Sequence, residues 1–262
     1  MDKTEFQARA SALAGEASGE VSVLCRELDG SEPAVSINAD ALMVSASVIK
    51  LPILFYALGQ VQLRAARLEE LIDVREPAIL DDSVCFETGP RHASLLELLT
   101  WMTISSDNTS SNVLIDLFGY DAINRFCASI GLSQTRLERK MLDFQAITEG
   151  RNNYTSANDI YTLFRAFFGG ELLGEELAAT ALDILLGQRD KGRLARYIWE
   201  RDIVIAHKTG GLDYLSHDAG VLMYGGRRLY AGVFVQKAVS IDGDPRLIGG
   251  IGRLAAQYIQ GL

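Results

Sequence analysis

Cysteine is scarce in this chain of 262 residues, and its scarcity excludes several classes of protein. The three cysteines, Cys25, Cys85 and Cys127, are odd in number and widely spaced. They form neither the closely spaced pairs that bind structural zinc nor the framework of a small disulfide-rich secreted protein. We therefore expect small buried side chains in a protein of a reducing compartment.

Histidine is equally scarce, with three residues, and this disfavours a metal centre or a histidine-based triad. His217 and Asp218 form a dyad in sequence, but no third ligand follows at a useful spacing. His207 precedes Lys208 on a predicted strand, so their side chains should point to opposite faces. The glycines at 249–252 complete neither a dinucleotide-binding nor a Walker pattern, and we interpret them as the entry to a helix. No metal and no cofactor are expected.

Positive charge and long apolar runs are also lacking. The formal net charge is −9 at pH 7, whereas nucleic acids and anionic membranes bind basic surfaces. The apolar run at 49–58 is too short to span a bilayer and contains Pro52. The first residues lack a secretory signal, which predicts a cytoplasmic protein, or a periplasmic or secreted one if a leader has been removed. We expect a monomer that acts on a small molecule, without nucleic acid or membrane as partners.

Strand-like and helix-like patterns divide the chain into terminal and central parts. Alternating apolar residues predict strands near both ends, and Gly225-Gly226 links the last two. Helical periodicity dominates the middle, where Ser94 and Glu97 have the spacing of a capping box. The segment 136–153 lacks clear periodicity and is predicted to be a long ordered loop, a type that is often functional. The predicted strands are 20–28, 34–38, 203–208, 218–224 and 228–236, and the predicted helices are 4–18, 47–63, 94–102, 107–118, 121–130, 156–168, 175–187 and 246–259.

This order of elements predicts an α+β fold. The simplest packing joins the five terminal strands into one antiparallel sheet, flanked by the first and last helices. Residues 1–45 and 195–262 then form a sheet lobe, and residues 46–194 form an inserted all-helical lobe. The two lobes are expected to pack as one structural unit.

The segment 44–54 brings a hydroxyl and an amine close to a helix start. Ser45 or Ser47 is predicted to cap the helix, and Lys50 lies one turn beyond Ser47 on the same face. Such an amine can accept the hydroxyl proton when burial or a nearby cation lowers its pKa. Ser47 is therefore the candidate nucleophile and Lys50 the candidate base, although a capped helix with a surface lysine has the same spacing.

Two later triplets extend this pattern. Ser106-Asp107-Asn108 precedes a predicted helix, and Lys208-Thr209-Gly210 ends a predicted strand. Either triplet alone is typical of an ordinary helix cap or strand end. Together with Ser47 and Lys50, and in this order, they resemble the motifs of class A β-lactamases and penicillin-binding proteins. The resemblance covers nearly the whole chain.

The resemblance implies a fold and roles for the first two motifs. The family has a sheet built from both chain ends and an inserted helical lobe, with the active site in the cleft between them. Ser106 would relay a proton to the leaving nitrogen. Asn108 would position the substrate and Lys50, and Asp107 would hold the loop.

The third motif would bind the substrate at the edge of the sheet. An acyl chain can lie antiparallel to an edge strand. Lys208 and Thr209 would bind a substrate carboxylate, and Gly210 would leave room beside the backbone. The N–H groups of Ser47 and Gly211 would form the oxyanion hole, which stabilises the developing negative charge.

One position departs from the family. Class A β-lactamases carry a glutamate that activates the deacylating water, within an Arg-x-Glu-Pro-x-x-Asn pattern. That pattern falls here on Arg139, Met141, Leu142 and Gln145. Methionine cannot act as a general base, so efficient turnover is not expected from Met141. Acylation of Ser47 is expected to survive.

Two acidic residues near Met141 offer alternatives. Asp143, two residues beyond the glutamate position, is a weak candidate for activating water, and Glu138 is another. Both carboxylates can instead anchor the loop through Arg139, which is the interpretation we favour.

These observations leave several functions open. The leading one is a serine hydrolase of the β-lactamase type, acting on a β-lactam amide with slow deacylation. A peptidase for D-amino acids, an amidase or an esterase of the same fold is the alternative. A penicillin-binding sensor that acylates without turnover is a further alternative, and a non-catalytic binding module is the least favoured.

Overall fold

Strands from the two ends of the chain lie side by side in the computed structural model, which describes residues 1–30, 32–75, 78–88 and 91–261. The strands are β1 (Glu20–Glu27), β2 (Val35–Ile37), β3 (Met43–Val44), β4 (Leu71–Asp73), β5 (His92–Ser94), β6 (Tyr154–Thr155), β7 (Val204–Leu212), β8 (Leu215–Tyr224) and β9 (Arg227–Gln236). Five of them form an antiparallel sheet in the order β2-β1-β9-β8-β7. The predicted α+β fold and its central sheet are confirmed, and β7 lies at an edge.

A glycine pair sets the register of the hairpin between β8 and β9. Tyr224 pairs with Arg227, which leaves a two-residue turn of Gly225 and Gly226. Their φ angles are 55° and 84°, and a turn that needs positive φ at both central residues strongly favours glycine. The turn therefore holds the strand that carries Asp218 in a defined alignment with its neighbour.

The helices follow the predicted periodicity, with boundaries shifted by a few residues. They are α1 (Lys3–Gly15), α2 (Lys50–Gln62), α3 (Leu95–Ile104), α4 (Asn108–Phe118), α5 (Tyr120–Ser129), α6 (Phe144–Thr148), α7 (Ala157–Phe168), α8 (Glu175–Leu186) and α9 (Pro245–Gln260). The predicted capping box is present, because the Ser94 and Glu97 side chains each accept a bond from the other's backbone N–H.

The segment 136–153 is largely a loop, as predicted, and contains the short helix α6. Two local expectations were wrong. The helix after Ser45 begins with a 3₁₀ segment, Ala46–Ile49, and neither Ser45 nor Ser47 caps it with a side-chain bond. The glycines at 249–252 lie inside α9, where they allow close packing against the rest of the fold, and do not form its entry.

Two apolar clusters cover the two faces of the sheet. Phe6 of α1 and Ile251 of α9 belong to the cluster on one face, together with Val23 and Val233 of the sheet. The helices α2, α3, α4, α5, α7 and α8 contribute to the other cluster, which reaches the sheet through Tyr230 and its neighbours. The helical segment thus packs against the face of the sheet opposite α1 and α9.

Two small sheets escaped prediction. Strand β3 pairs with β6, and β4 pairs with β5, over two and three residues respectively. Pairings this short are stabilised by their surroundings and not by their own sequence. Within the described residues, every helix is too short or too polar to cross a membrane.

Candidate active site

Ser47 lies where the 3₁₀ segment meets the edge strand β7. A Cβ atom added at Gly210 would stand 3.2 Å from the Ser47 nitrogen and 3.2 Å from the Ser45 carbonyl oxygen. The strand therefore passes directly beside the Ser47 N–H, and a side chain at Gly210 would crowd this contact. Ala46 has a φ of 43°, and a left-handed conformation in a residue with a Cβ atom costs free energy and is frequent at functional sites.

The Lys50 side chain is buried between two residues of the second motif. Its Nζ donates to the Ser106 carbonyl oxygen at 2.7 Å, to Ser106 Oγ at 3.1 Å and to Asn108 Oδ1 at 2.8 Å. Its exposed fraction is 1%. The structure thus brings together the two motifs that the sequence separates by more than fifty residues.

The surroundings of Lys50 favour its neutral form. Burial lowers the pKa of Lys50 well below its usual range, and the charge of Lys208 lowers it further. Asp107 and Asp82 oppose this shift. A lowered pKa increases the fraction of the amine that is neutral and carries a lone pair, which favours Lys50 as a proton acceptor.

Asp107 holds the turn that presents Ser106. One of its oxygens accepts from the Ser110 N–H at 2.6 Å, which caps α4, and the other accepts from Ser83 Oγ at 2.5 Å. Ser106 has a φ of 58°, a strained conformation that directs its carbonyl oxygen to Lys50. Asp107 is buried, and these contacts fit the structural role that we expected for it.

Lys208 is a second buried lysine beside the first. Its Nζ donates to the Thr209 carbonyl oxygen at 2.9 Å, and both residues are buried. Burial lowers the pKa of Lys208 to about 7, with Asp218 acting against the shift and Arg193 adding to it. Lys208 lies in the middle of β7, which continues to Leu212, so the predicted end of this strand at Lys208 was wrong. The charge of Lys208 lowers the pKa of Lys50.

Arg193 is a neighbour that the sequence did not identify. Its Nε donates to Ser216 Oγ at 2.8 Å, and its guanidinium pairs with Asp190. A Cβ atom at Gly211 would stand 2.8 Å from Arg193 Nη2, so the glycine makes room for the arginine over the end of β7. A cleft of about 560 Å³ opens here, lined by Arg193, Gly211, Asp190, Gly192, Leu212, Asp213, Leu215, Ile241, Asp242 and Pro245. Only the fold brings Arg193 to this strand, and we found no local pattern that marks it.

Asp82 is a second neighbour that the sequence did not identify. Asn108 Nδ2 donates to Asp82 Oδ2 at 2.6 Å, while the other end of the same amide binds Lys50. Asp82 is exposed and lies in a segment without helix or strand periodicity. It adds a carboxylate to the wall of the site beside Asn108.

Met141 is held by its backbone. Asn112 Oδ1 accepts from the Met141 N–H at 2.7 Å, and Asn112 Nδ2 donates to the Met141 carbonyl oxygen at 3.2 Å. The side chain is buried, with an exposed fraction of 7%, and belongs to the apolar cluster of the helical segment. The position at which the sequence pattern predicts the family's glutamate is therefore occupied by a buried apolar side chain.

The acidic residues near Met141 make other contacts. Asp143 Oδ1 accepts from the Ala146 N–H at 2.9 Å and so caps α6. Glu138 lies 3.8 Å from Arg136. Arg139 donates to Asn152 Oδ1 and to the Lys140 carbonyl oxygen, so the loop is anchored by amide and carbonyl groups and not by the expected carboxylates.

His207 and His217 have structural partners. His207 Nδ1 lies 2.9 Å from Asp218 Oδ1, whereas the His217 ring contacts the carbonyl oxygens of Ser216 and Val44. His217 and Asp218 are adjacent in sequence but do not bind each other, because neighbours on a strand point to opposite faces. The described residues contain no group of three His, Cys, Asp or Glu side chains that could hold a metal ion.

Solved structures share this fold over the full chain. A β-lactamase from Sphaerobacter thermophilus has a TM-score of 0.88 at 26% identity, with coverage of 100% of this chain and 99% of that one. A mutant of PBP-A, solved as an acyl-enzyme complex with penicillin G, has a TM-score of 0.87 at 26% identity, with coverage of 99% and 97%. The fold is therefore that of the β-lactamases and penicillin-binding proteins.

Sequence comparison gives the family. The model of the Beta-lactamase enzyme family matches residues 5–259 of this chain. The chain therefore belongs to this family. A β-lactamase from Streptomyces fradiae is 34% identical over 137 residues, which are 51% of this chain and 45% of that protein. The match thus spans about half the length of this relative.

Proposed function

We propose that this protein is a serine hydrolase that opens β-lactams through an acyl-enzyme on Ser47. The observation that carries the proposal is the buried Lys50 amine, which lies between Ser106 and Asn108 and one turn from Ser47. The names of the relatives, and the penicillin G complex of PBP-A, support a β-lactam as the substrate.

Acylation needs only groups that surround Ser47. Lys50 Nζ takes the proton of Ser47 Oγ as this oxygen attacks the lactam carbonyl carbon. The N–H groups of Ser47 and Gly211 stabilise the tetrahedral oxyanion. When the carbon–nitrogen bond breaks, the proton passes from Lys50 through Ser106 Oγ to the leaving nitrogen. The contact of 3.1 Å between Lys50 and Ser106 supports this relay.

Substrate binding would use the edge strand β7. A carboxylate on the substrate binds Lys208, which is charged in part at neutral pH, and the neighbouring Thr209. Gly210 leaves the path beside Ser47 open. Asn108 holds the amide of the substrate side chain and fixes Lys50 at the same time.

Deacylation is the slow step. Water must attack the ester carbonyl, and Met141 offers it no base. Asp143 remains the acidic candidate, but it must release its cap of α6 to reach a water molecule. We therefore propose that the acyl-enzyme accumulates and that turnover is slow.

Intact-protein mass spectrometry during incubation with penicillin G tests this proposal. We expect an adduct of the full mass of penicillin G, because ring opening loses no atom, and we expect it to persist. Ser47→Ala should form none. Ser45→Ala is the matched control, since Ser45 is a buried serine two residues away whose hydroxyl donates to the Ala46 carbonyl oxygen. An adduct in Ser47→Ala, or none in the natural protein, would overturn the proposal.

A penicillin-binding protein without useful turnover is the second candidate. The buried methionine at position 141 favours it, and so does the similarity to PBP-A. The time course separates the two functions, because slow loss of the adduct with product release indicates a hydrolase. If penicillin G is not a substrate, esters and D-amino-acid peptides test the peptidase and esterase alternatives.

A further inference from the structure

The Asp82 carboxylate lies directly beside the amide that is proposed to hold the substrate. Asn108 Nδ2 donates to Asp82 Oδ2 at 2.6 Å, while Asn108 Oδ1 is occupied by Lys50. A substrate carbonyl bound by Asn108 Nδ2 therefore meets Asp82 as its next neighbour. Asp82 is exposed, so its carboxylate remains accessible to a ligand that binds beside Asn108.

The loop around Asp82 does not depend on this contact. On one side, the Leu80 N–H donates to Thr109 Oγ1 at 2.9 Å, and on the other, Ser83 Oγ donates to Asp107 Oδ2 at 2.5 Å. These two bonds pin the backbone to the start of α4 on both sides of Asp82. The carboxylate is thus presented at a defined place by contacts that it does not itself make.

The Asp82 carboxylate forms no ion pair with a lysine or arginine in the described part of the chain. Its charge acts on the buried Lys50, whose pKa it raises, but Lys50 donates to Asn108 and Ser106 and not to Asp82. The only hydrogen-bond donor to Asp82 in this contact, the Asn108 amide, is neutral. The Asp82 charge would attract a cationic group on the substrate, and it would repel an anionic group in the same place.

We propose that Asp82 selects substrates whose acyl group carries an ammonium on the carbon next to the carbonyl that Asn108 binds. This inference rests on the proposed function and names its substrate class. In such a substrate a single carbon atom separates the ammonium from the carbonyl group that Asn108 binds. The Asp82 carboxylate is likewise a direct neighbour of the Asn108 nitrogen, so the two groups of the substrate can meet the two side chains together. Asn108 then donates to the carbonyl oxygen while Asp82 accepts from the ammonium.

Three penicillins that differ at this one carbon test the proposal. Ampicillin carries an amino group there, penicillin G a hydrogen atom and carbenicillin a carboxylate. The measurement is the second-order rate constant for acylation, followed by mass spectrometry at pH 6.5, where an α-amino group of pKa about 7.7–8.0 is protonated. We expect ampicillin to react fastest and carbenicillin slowest, with about a fivefold step between ampicillin and penicillin G, the size of a partly exposed ion pair.

Asp82→Asn should remove most of the ampicillin advantage, because an asparagine oxygen still accepts from Asn108 but carries no charge. Asp82→Lys should reverse the order and favour carbenicillin. Asp81→Asn is the matched control, since Asp81 is the adjacent exposed carboxylate, and this variant should keep the order of the natural protein. Added salt should shrink the step between ampicillin and penicillin G.

The outcomes separate this inference from the proposed function. If Ser47 is acylated but Asp82→Asn leaves the ratio between ampicillin and penicillin G unchanged, the role of Asp82 is overturned and the hydrolase remains. If Asp81→Asn lowers the ratio between ampicillin and penicillin G as much as Asp82→Asn does, the role of Asp82 is also overturned. The cause would then be the negative charge of the whole loop and not the carboxylate beside Asn108. If none of the three penicillins acylates Ser47, the proposed function fails and this inference fails with it.

Discussion

Met141 is the residue that we propose to limit turnover after acylation. Its backbone is fixed on both sides by Asn112, at 2.7 Å and 3.2 Å, and these bonds do not involve the methionine side chain. We therefore expect the backbone at position 141 to stay in place when the side chain is substituted. The cost of a substitution falls on packing, because the methionine is buried among apolar neighbours.

Met141→Glu is expected to shorten the lifetime of the penicillin G adduct by about tenfold or more, within the range that a positioned general base contributes. The physical reason is the carboxylate, which can take a proton from the attacking water. Adduct lifetime and steady-state hydrolysis measure the effect. Met141→Gln introduces a side chain of nearly the same shape as glutamate but without a base, so the adduct should keep its long lifetime. Equal acceleration of deacylation by both variants would contradict the prediction.

Helix α9 illustrates how an element can depend on the absence of a side chain. A Cβ atom at Gly252 would overlap the carbonyl oxygen of Leu194, at the start of the 3₁₀ segment Leu194–Tyr197. The helix therefore packs against the backbone of the segment that follows Arg193. This close contact links α9 to the wall of the cleft.

Gly252→Ala is expected to lower the free energy of unfolding by about 2 kcal/mol, because overpacking forces the backbone to shift. Gly59→Ala provides the comparison, since Gly59 lies inside α2 and a Cβ atom there meets no heavy atom within 4 Å. Alanine should stabilise that helix by about 0.5–1 kcal/mol. Urea unfolding measures the free energy of unfolding of both variants. If Gly252→Ala is as stable as the natural protein, the contact between Gly252 and Leu194 is not tight in solution.

Two buried lysines affect the stability of the whole molecule. Lys50 and Lys208 are almost fully buried, and burial disfavours their charged forms. The molecule therefore retains at its candidate active site two groups that weaken the fold at neutral pH. An enzyme that needs a neutral lysine as a base gains reactivity from the same burial.

Lys208→Met is expected to be more stable than the natural protein at pH 7, by about 1 kcal/mol or more. The pKa of Lys208 is about 7 in the folded state and 10.5 in its ordinary state, so the unfolded chain binds more protons between these values. The natural protein must then gain stability as the pH rises from 7 towards 10.5, and the variant lacks this gain. Urea unfolding at pH 7 and pH 9 measures the free energies of unfolding of Lys208→Met and of the natural protein. The advantage of the variant should narrow by about 1 kcal/mol per pH unit. A difference that stays constant with pH would contradict the assignment.

Local patterns in the sequence predicted most of the elements. Alternation marked the strands of the sheet, and Ser94 with Glu97 marked the start of α3, because strand pleating and helix caps depend on residues close in sequence. The two-residue strands β3 and β6 were missed, since their pairing is imposed by the elements around them. The 3₁₀ segment at the start of the Ser47 helix and the absence of a side-chain cap there were also missed.

The sequence by itself determined the motif residues, their order and the family that they resemble. The tertiary structure alone decided that His207 and not His217 faces Asp218, and that Arg193 covers Gly211. It also placed Asp82 beside Asn108, 26 residues away in the chain. The reason is physical, because the geometry within one turn or strand follows from covalent structure and local sterics. Contacts between distant side chains exist only after the sheet and the helical segment have packed together.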